Sequence, residues 1–416
     1  MKKITVSIII AALILALAAC GGGNAGSTQS LTQGQQTGQQ QTEEPAEEPV
    51  NAEVKATDFA VRLLKACMAS GKNTLISPFS VMSALAMTAN GADGETLAQM
   101  EKVLGMPLEE LNAYIKAYSS SLPQGEKYKL NPANSIWFTS GDNFQVNEDF
   151  LKKVSANYDA DIFQADFDDA TLKDINNWVK EKTDGMIPEI LDQMSPDAVM
   201  YLINALAFEA EWGEPYFDYQ VQESEFTAED GTKEKVDLMH SEEGTYLESE
   251  DATGVIKYYK EGKYAFAALL PKEGTTVEEL VESLDGAKLH EILEGRQDIT
   301  TFTAIPKFET EFSTEMSDVL IGMGMPDAFD VQKADFRNLG TADENIFINR
   351  VIHKTFISVA EQGTKAGAAT LVEMTLGAAF MEEEPKEVTL DRPFVYMLID
   401  CETWTPFFIG TLMHVK

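Results

Sequence analysis

The side chains that most often carry chemistry are sparse in this 416-residue chain. Its four histidines, His240, His290, His353 and His414, stand far apart, none at metal-ligand spacing from another or from a cysteine. There is no GxSxG elbow, phosphate loop or HExxH, and no metal or cofactor is expected. A triad gathered from distant positions is recognised by geometry, so a lipid-anchored hydrolase on another fold stays open, without a nucleophile motif in its favour. What remains is chemistry done to the chain. Cys20 is placed to be modified, and EQGTKAGAATLVEMTLGAAFMEEE at 361–384 poses the question of a loop or a strand.

Cys20 closes an N-terminal signal. Lys2 and Lys3 precede the apolar run SIIIAALILALAAC, too short to span a bilayer comfortably and ending in small residues, as in a secretory signal. Leu17-Ala18-Ala19-Cys20 resembles the bacterial lipobox, which implies cleavage before Cys20 and a diacylglycerol thioether on it; the plainer reading is an ordinary signal peptide with a chance cysteine. Each buried CH₂ of such an anchor contributes about 0.8 kcal/mol. Residues 20–50 are rich in Gly, Gln, Ser, Thr, Glu and Pro, a tether with little to bury. As a flexible coil of about 30 residues it spans on the order of 30 Å. GGGNAG at 21–26 formally matches GxGxxG, but no strand precedes it and no helix follows.

The segment at 361–384 divides by parity. Successive side chains of a strand point to opposite faces. The even positions are Thr364, Ala366, Ala368, Thr370, Val372, Met374 and Leu376, none charged. Between 364 and 377 every charge falls at an odd position, on Lys365 and Glu373. The segment therefore reads as a loop able to become a strand with one inner face, its leading end small enough to enter a sheet. About a dozen new ladder hydrogen bonds at roughly 0.5 to 1.5 kcal/mol each would release on the order of 10 kcal/mol, comparable with the whole stability of an ordinary domain.

The surrounding elements must hold and then receive this strand. Sixty-eight acidic against 32 basic residues give a net charge of −36, which excludes nucleic acid as a partner. With 44% hydrophobic content, residues 51–416 can bury a core as one continuous domain. Helical periodicity marks DFAVRLLKACM, SVMSALAMTANGADG with Gly91 and Gly94 as stops, TLAQMEKVLG, and INNWVKEKTDGMIPEIL ending at Gly185. Strands are expected in VMYLINALAFEAEW, YAFAALLPKEG, HKTFISVAE, PFVYMLID and PFFIGTLM. Helices early and strands late argue for an α+β fold with antiparallel or mixed sheets. Cys67 lies on the first helix, where a small buried thiol is favoured over a disulfide to Cys401.

Several segments, taken in order, resemble the serpin family: NTLISPFSVMSALAMTANGADGETLAQ, INNWVKEKTDGMI, INALAFEAEW, VIHKTFISVAEQGTKAGAAT and DRPFVYMLIDCETWTPFFIGTL. The resemblance covers roughly residues 54 to 416. It implies three sheets, eight or nine helices and an exposed reactive loop near the C-terminus. It implies further that a serine protease attacks that loop and forms a covalent acyl complex, and that the cut loop then enters the main sheet and deforms the protease before it deacylates. Loop insertion in this family is an established example of strand addition and stored-strain release.

The resemblance also assigns residues. Glu361, Gln362, Gly363, Thr364, Lys365, Ala366, Gly367, Ala368, Ala369 and Thr370 form the hinge, with Gln362 and Lys365 standing where glutamate is more usual. Ser77, Pro78, Ser80, Asn204 and His353 form the shutter beneath the sheet, and Trp212 the breach where insertion starts. Counting forward from Glu361 places the reactive bond between Gly377 and Ala378, suited to elastase-like or subtilisin-like proteases. Counting back from Pro393 falls near Glu382, so the loop has about five extra residues after the bond. Cleavage after Leu376 or Phe380 would admit chymotrypsin-like enzymes. The expected protein is a monomeric inhibitor on the outer face of a bacterial envelope, lipid-anchored or shed; the alternative is a non-inhibitory serpin acting as a surface binding or scaffold protein.

Overall fold

A computed structural model describes residues 29–30, 52–122, 128–140, 144–158, 160–194, 200–364 and 384–415. Cys20, hinge residues Lys365 to Thr370, and Leu376, Gly377, Ala378 and Phe380 lie outside the described residues. The rest is an α+β fold with nine α-helices and three large sheets of seven, six and four strands, plus a two-stranded ribbon.

The seven-stranded main sheet consists of β1 (Gln29–Ser30), β2 (Tyr128–Thr139), β3 (Asp161–Ala165), β4 (Met200–Glu211), β5 (Phe308–Glu315), β6 (Arg350–Ala360) and β7 (Gly363–Thr364), in the order β1-β3-β2-β4-β7-β6-β5. It is mixed: β2 with β3 and β4 with β6 run parallel, the other pairs antiparallel. A tether without structure was expected at 20–50, yet Gln29 and Ser30 pair with Gln164 and Phe163 and extend the sheet edge.

Both faces of the main sheet are covered. On one, the helix Asp169–Lys182 and the segment after it press Ile175, Val179, Ile187, Ile190 and Leu191 against Trp137, Tyr201, Ile203, Ala205 and Ile352. Its Asn176 holds that segment down, accepting from Ile190 N (2.9 Å) and Leu191 N (3.0 Å) and donating to Leu191 O (2.8 Å). On the other, Phe208, Ala210, Val351, Ile357 and Val359 join the large core with helices α1 (Ala52–Cys67) and α2 (Pro78–Ala89). The period of two in β4 therefore serves two cores.

Several expectations shift in detail. Gly94, read as a stop, is the first residue of the helix Gly94–Leu104, capped by Asp93, while α2 already ends at Ala89. Glycine is required at Gly91 for another reason, since a Cβ there would lie 2.5 Å from Leu339 Cβ. Helices and strands also interleave more than expected: β2 and β3 come early, and helices Val277–Ser283, Gly286–Glu294 and Ser317–Met323 come late. Cys67 and Cys401 are free and half-buried, their thiols pushed up to about 12 by burial.

Candidate functional site

The site is the seam between β4 and β6. Along its lower half the two strands pair directly, Arg350 to Thr355 against Tyr201 to Leu206. Along its upper half they part, and β7 lies between them, Thr364 opposite Ala210 on one side and Val359 on the other.

Only glycine fits at the point of entry. Gly363 has φ +152°, and a Cβ on it would meet Ala210 O at 2.0 Å and Glu211 Cα at 2.8 Å. Thr364 is then 1% exposed, its hydroxyl bonded to the Tyr259 hydroxyl beneath the sheet. An uncharged side chain able to satisfy that buried hydroxyl suits the position.

The breach supports β7 from outside the sheet. Trp212 N donates to Gln362 O (2.9 Å), Tyr216 N to Glu361 O (2.9 Å) and Trp212 Nε1 to Ala360 O (2.8 Å). Trp212 stacks on Tyr259 with centroids 4.4 Å apart and planes 4° from parallel. The Lys257 ammonium lies 4.5 Å from the Tyr216 ring centre and 5.6 Å from that of Trp212. Lys257, 1% exposed, is paired with Glu243 at 2.6 Å, a buried charge held by an opposite charge and ring faces. At the surface Lys307 meets Glu361 at 2.8 Å; burial, the largest single effect, pushes the Glu361 carboxyl up, but the Lys307 hydrogen bond, a backbone hydrogen bond and the Lys307 charge together leave the group below its ordinary value.

The shutter closes the seam from below. Ser77 caps α2, its hydroxyl accepting from Ser80 N (3.4 Å), and Pro78 takes the first helical position, where its missing N–H leaves no gap. The Ser77 N–H donates to His353 Nε2 at 3.1 Å, which places the imidazole proton on Nδ1. Burial lowers His353 from 6.5 to about 3, so the ring is neutral. In register, His353 stands opposite Asn204 and Asn204 opposite Asn134. Thr355 Oγ1 donates to Leu75 O at 2.7 Å beside them.

The residues singled out from sequence thus fall in three places along one seam: Ser77, Pro78, Ser80, Asn204 and His353 at its closed half, Trp212 at its open end, and Glu361, Gln362, Gly363 and Thr364 entering it. A model of the family described as Serpin (serine protease inhibitor) matches residues 54–415. This chain belongs to the serpin family. It is similar to an uncharacterised serpin-like protein of Thermococcus kodakarensis, 34% identical over 86% of this chain and 84% of that one. The leukocyte elastase inhibitor of Homo sapiens is 30% identical over 81% of this chain and 92% of its own length. Among solved structures, the thermophilic serpin tengpin matches in its native state with 46% identity, covering 89% of this chain and 96% of that one, with a TM-score of 0.84. The same serpin in its latent state matches at 0.79.

Sequence reading missed Lys257, Glu243, Tyr216, Tyr259 and Lys307. A signal existed for one: a lone lysine inside the strand Ala252–Tyr258, ATGVIKY, announces a buried partner.

Proposed function

We propose that the protein is a suicide-substrate inhibitor of serine endopeptidases. The observation that carries this reading is β7, two hinge residues already seated in the seam that a cut loop would fill.

Continuing the β7 register supports it. Residue by residue, 363–374 would run opposite the whole of β4 from Glu211 down to Met200, and 363–373 opposite the whole of β6 from Ala360 to Arg350. The even positions Ala366, Ala368, Thr370 and Val372 fall opposite Phe208, Leu206, Asn204 and Leu202 on β4. On β6 they fall opposite Ile357, Thr355, His353 and Val351, all four buried. The two charges fall at odd positions: Lys365 opposite Glu209, and Glu373 opposite Arg350. The unusual Lys365 thus meets an opposite charge in this register.

In this reading the protease serine attacks the Gly377 carbonyl, the Ala378 amine leaves, and an acyl ester joins loop and enzyme. Insertion then outruns hydrolysis of that ester. Gly-Ala-Ala at the bond suits an elastase-like or subtilisin-like primary pocket, and the likeness to a leukocyte elastase inhibitor agrees with it. Cleavage after Leu376 or Phe380 would extend the range to chymotrypsin-like enzymes. Cys20 would carry the lipid that holds a monomer on the outer face of the envelope, with residues 51–416 as the single folded domain.

A second reading, a non-inhibitory binding protein, has one observation in its favour. A cavity of about 440 Å³ is lined by Tyr114, Tyr118, His290 and Trp404, and the buried Tyr118 hydroxyl has no partner among the described residues. Incubation with leukocyte elastase, subtilisin, chymotrypsin and trypsin separates the two. Inhibition predicts an SDS-stable complex and, by mass spectrometry, a cut after Gly377; cleavage without a complex by every enzyme overturns it.

A further inference from the structure

Five large hydrophobic side chains are exposed among the described residues: Phe217 (45%), Tyr219 (74%), Phe302 (50%), Ile321 and Val331. All three aromatics lie at one end of the four-stranded sheet. That sheet has the order Lys386–Thr389, Thr301–Pro306, Lys233–Glu243, Val221–Thr227. At this end Thr301 pairs with both Lys386 and Glu243, and Phe302 with both Glu387 and Glu242. Phe217 and Tyr219 belong to the turn that leads into the strand starting at Val221, two strand spacings, about 10 Å, from that of Phe302.

The two anchors of the reactive loop lie on either side of these aromatics, the departure point beside Lys307 just past Pro306 and the return point beside Thr301. Tyr216, next to Phe217, binds the Glu361 carbonyl where the loop departs, and Lys386 N donates to Thr300 O (2.9 Å) where it returns. A protease holding a loop anchored at these two points would lie next to the four-stranded sheet.

The aromatic pair is built to be rigid. The rings stack 5.6 Å apart and 7° from parallel. Phe217 N donates to Gln220 Oε1, Gln220 N to Phe217 O, and Gln220 Nε2 to His240 O, each at 2.9 Å. Preorganised aromatics give up little conformational freedom on contact, and such residues dominate binding energy at interfaces. Exposed carboxylates surround them: Glu214, Asp218, Glu242 and Glu387. Of the cations nearby, Lys307 and Lys260 are paired with Glu361 and Glu211, and Lys386 is exposed. An apolar centre with an anionic rim fits a partner whose own rim is basic.

We propose that Phe217, Tyr219 and Phe302, with the carboxylates around them, form a docking surface for a cationic target protease, engaged while its active site holds the loop. The proposal rests on the inhibitor reading, since it takes the partner to be the enzyme that cuts the loop.

The test uses the full chain and leukocyte elastase whose nucleophilic serine is changed to alanine, which docks without cutting. F217A/Y219A should weaken its dissociation constant ~10-fold or more, as expected on removing two hot-spot aromatics, and E242Q/E387Q by a smaller, salt-sensitive factor. With active elastase, the rate constant for complex formation should fall in parallel, while the gain in heat stability on loop cleavage stays unchanged. Dissociation constants within twofold of wild type overturn the proposal. So does absence of measurable docking by the wild type, or a wild-type dimer that the aromatic variant dissociates. If active elastase cuts the loop without being trapped while docking still depends on the aromatics, the inhibitor reading fails and the docking surface stands.

Discussion

The two halves of the β4–β6 seam are built from the same pair of strands and held in opposite ways. Above, β7 has replaced direct pairing, and its contacts are a glycine-only entry, one buried threonine and carbonyls gripped by Trp212 and Tyr216. Below, six residue pairs join the strands directly, the Asp169–Lys182 helix lies across one face and His353 is tied to the start of α2 on the other. The upper half is committed to admitting a strand; resistance to further entry is concentrated in the lower half. A loop can therefore begin insertion without triggering it.

Four changes would break or sharpen this contrast, the largest first. Thr364→Arg puts a cation where the threonine is 1% exposed, at a cost of several kcal/mol. The trapped complex should then form at least ~100-fold more slowly, with the variant cut as a substrate, as SDS gels of timed reactions would show. Equal trapping would refute a role for the upper half.

Ile175→Ala removes a fully buried contact of the helix that covers the lower half. It should destabilise the native state by about 2 to 5 kcal/mol, read as a lower urea midpoint. Spontaneous loop insertion should also quicken, seen as loss of trapping on warming.

The third change is pH. His353 is neutral in the fold, with its value lowered to about 3, against 6.5 in the unfolded chain. Its contribution is complete above 6.5 and is lost as pH falls from there toward 3, because only the unfolded chain takes up the proton. The slope is about 1.4 kcal/mol per pH unit within that window. Melting at pH 7, 5.5 and 4 should show it, and His353→Gln should flatten the curve.

The smallest effect belongs to the Lys307–Glu361 pair, whose side chains are 45% and 29% exposed. Glu361→Gln should shift stability by no more than about 0.5 kcal/mol and raise the insertion rate slightly, in salt-sensitive fashion.

Sequence legibility follows the same division. Local patterns were plain in the helices, as in DFAVRLLKACM and the Asn176 helix. Partnerships across the chain were not. Lys257 and Glu243 come from neighbouring sheets, and nothing in either local stretch names the other. Strand β2, which carries Asn131, Pro132 and Asn134, is not among the strands expected from the sequence. Pro132 is tolerated because β3 pairs only with Ser135 to Thr139, leaving that part of β2 at a sheet edge. Periodicity reports which face is buried and says little about what buries it. The hinge parity points to a strand whose residues beyond Thr364 lie outside the described ones, while the seam that holds Gly363 and Thr364 needed the fold.

The pairing of Gln29 and Ser30 with the sheet edge changes how far the folded body could stray from a bilayer. Were Cys20 lipidated, only eight residues, 21–28, would separate the anchor from β1. Eight residues treated as a coil have a root-mean-square reach of about 14 to 17 Å, roughly half of what the composition of the whole tether allowed. The β3 edge would then face the lipid, and the molecule would be oriented on its membrane as well as attached to it.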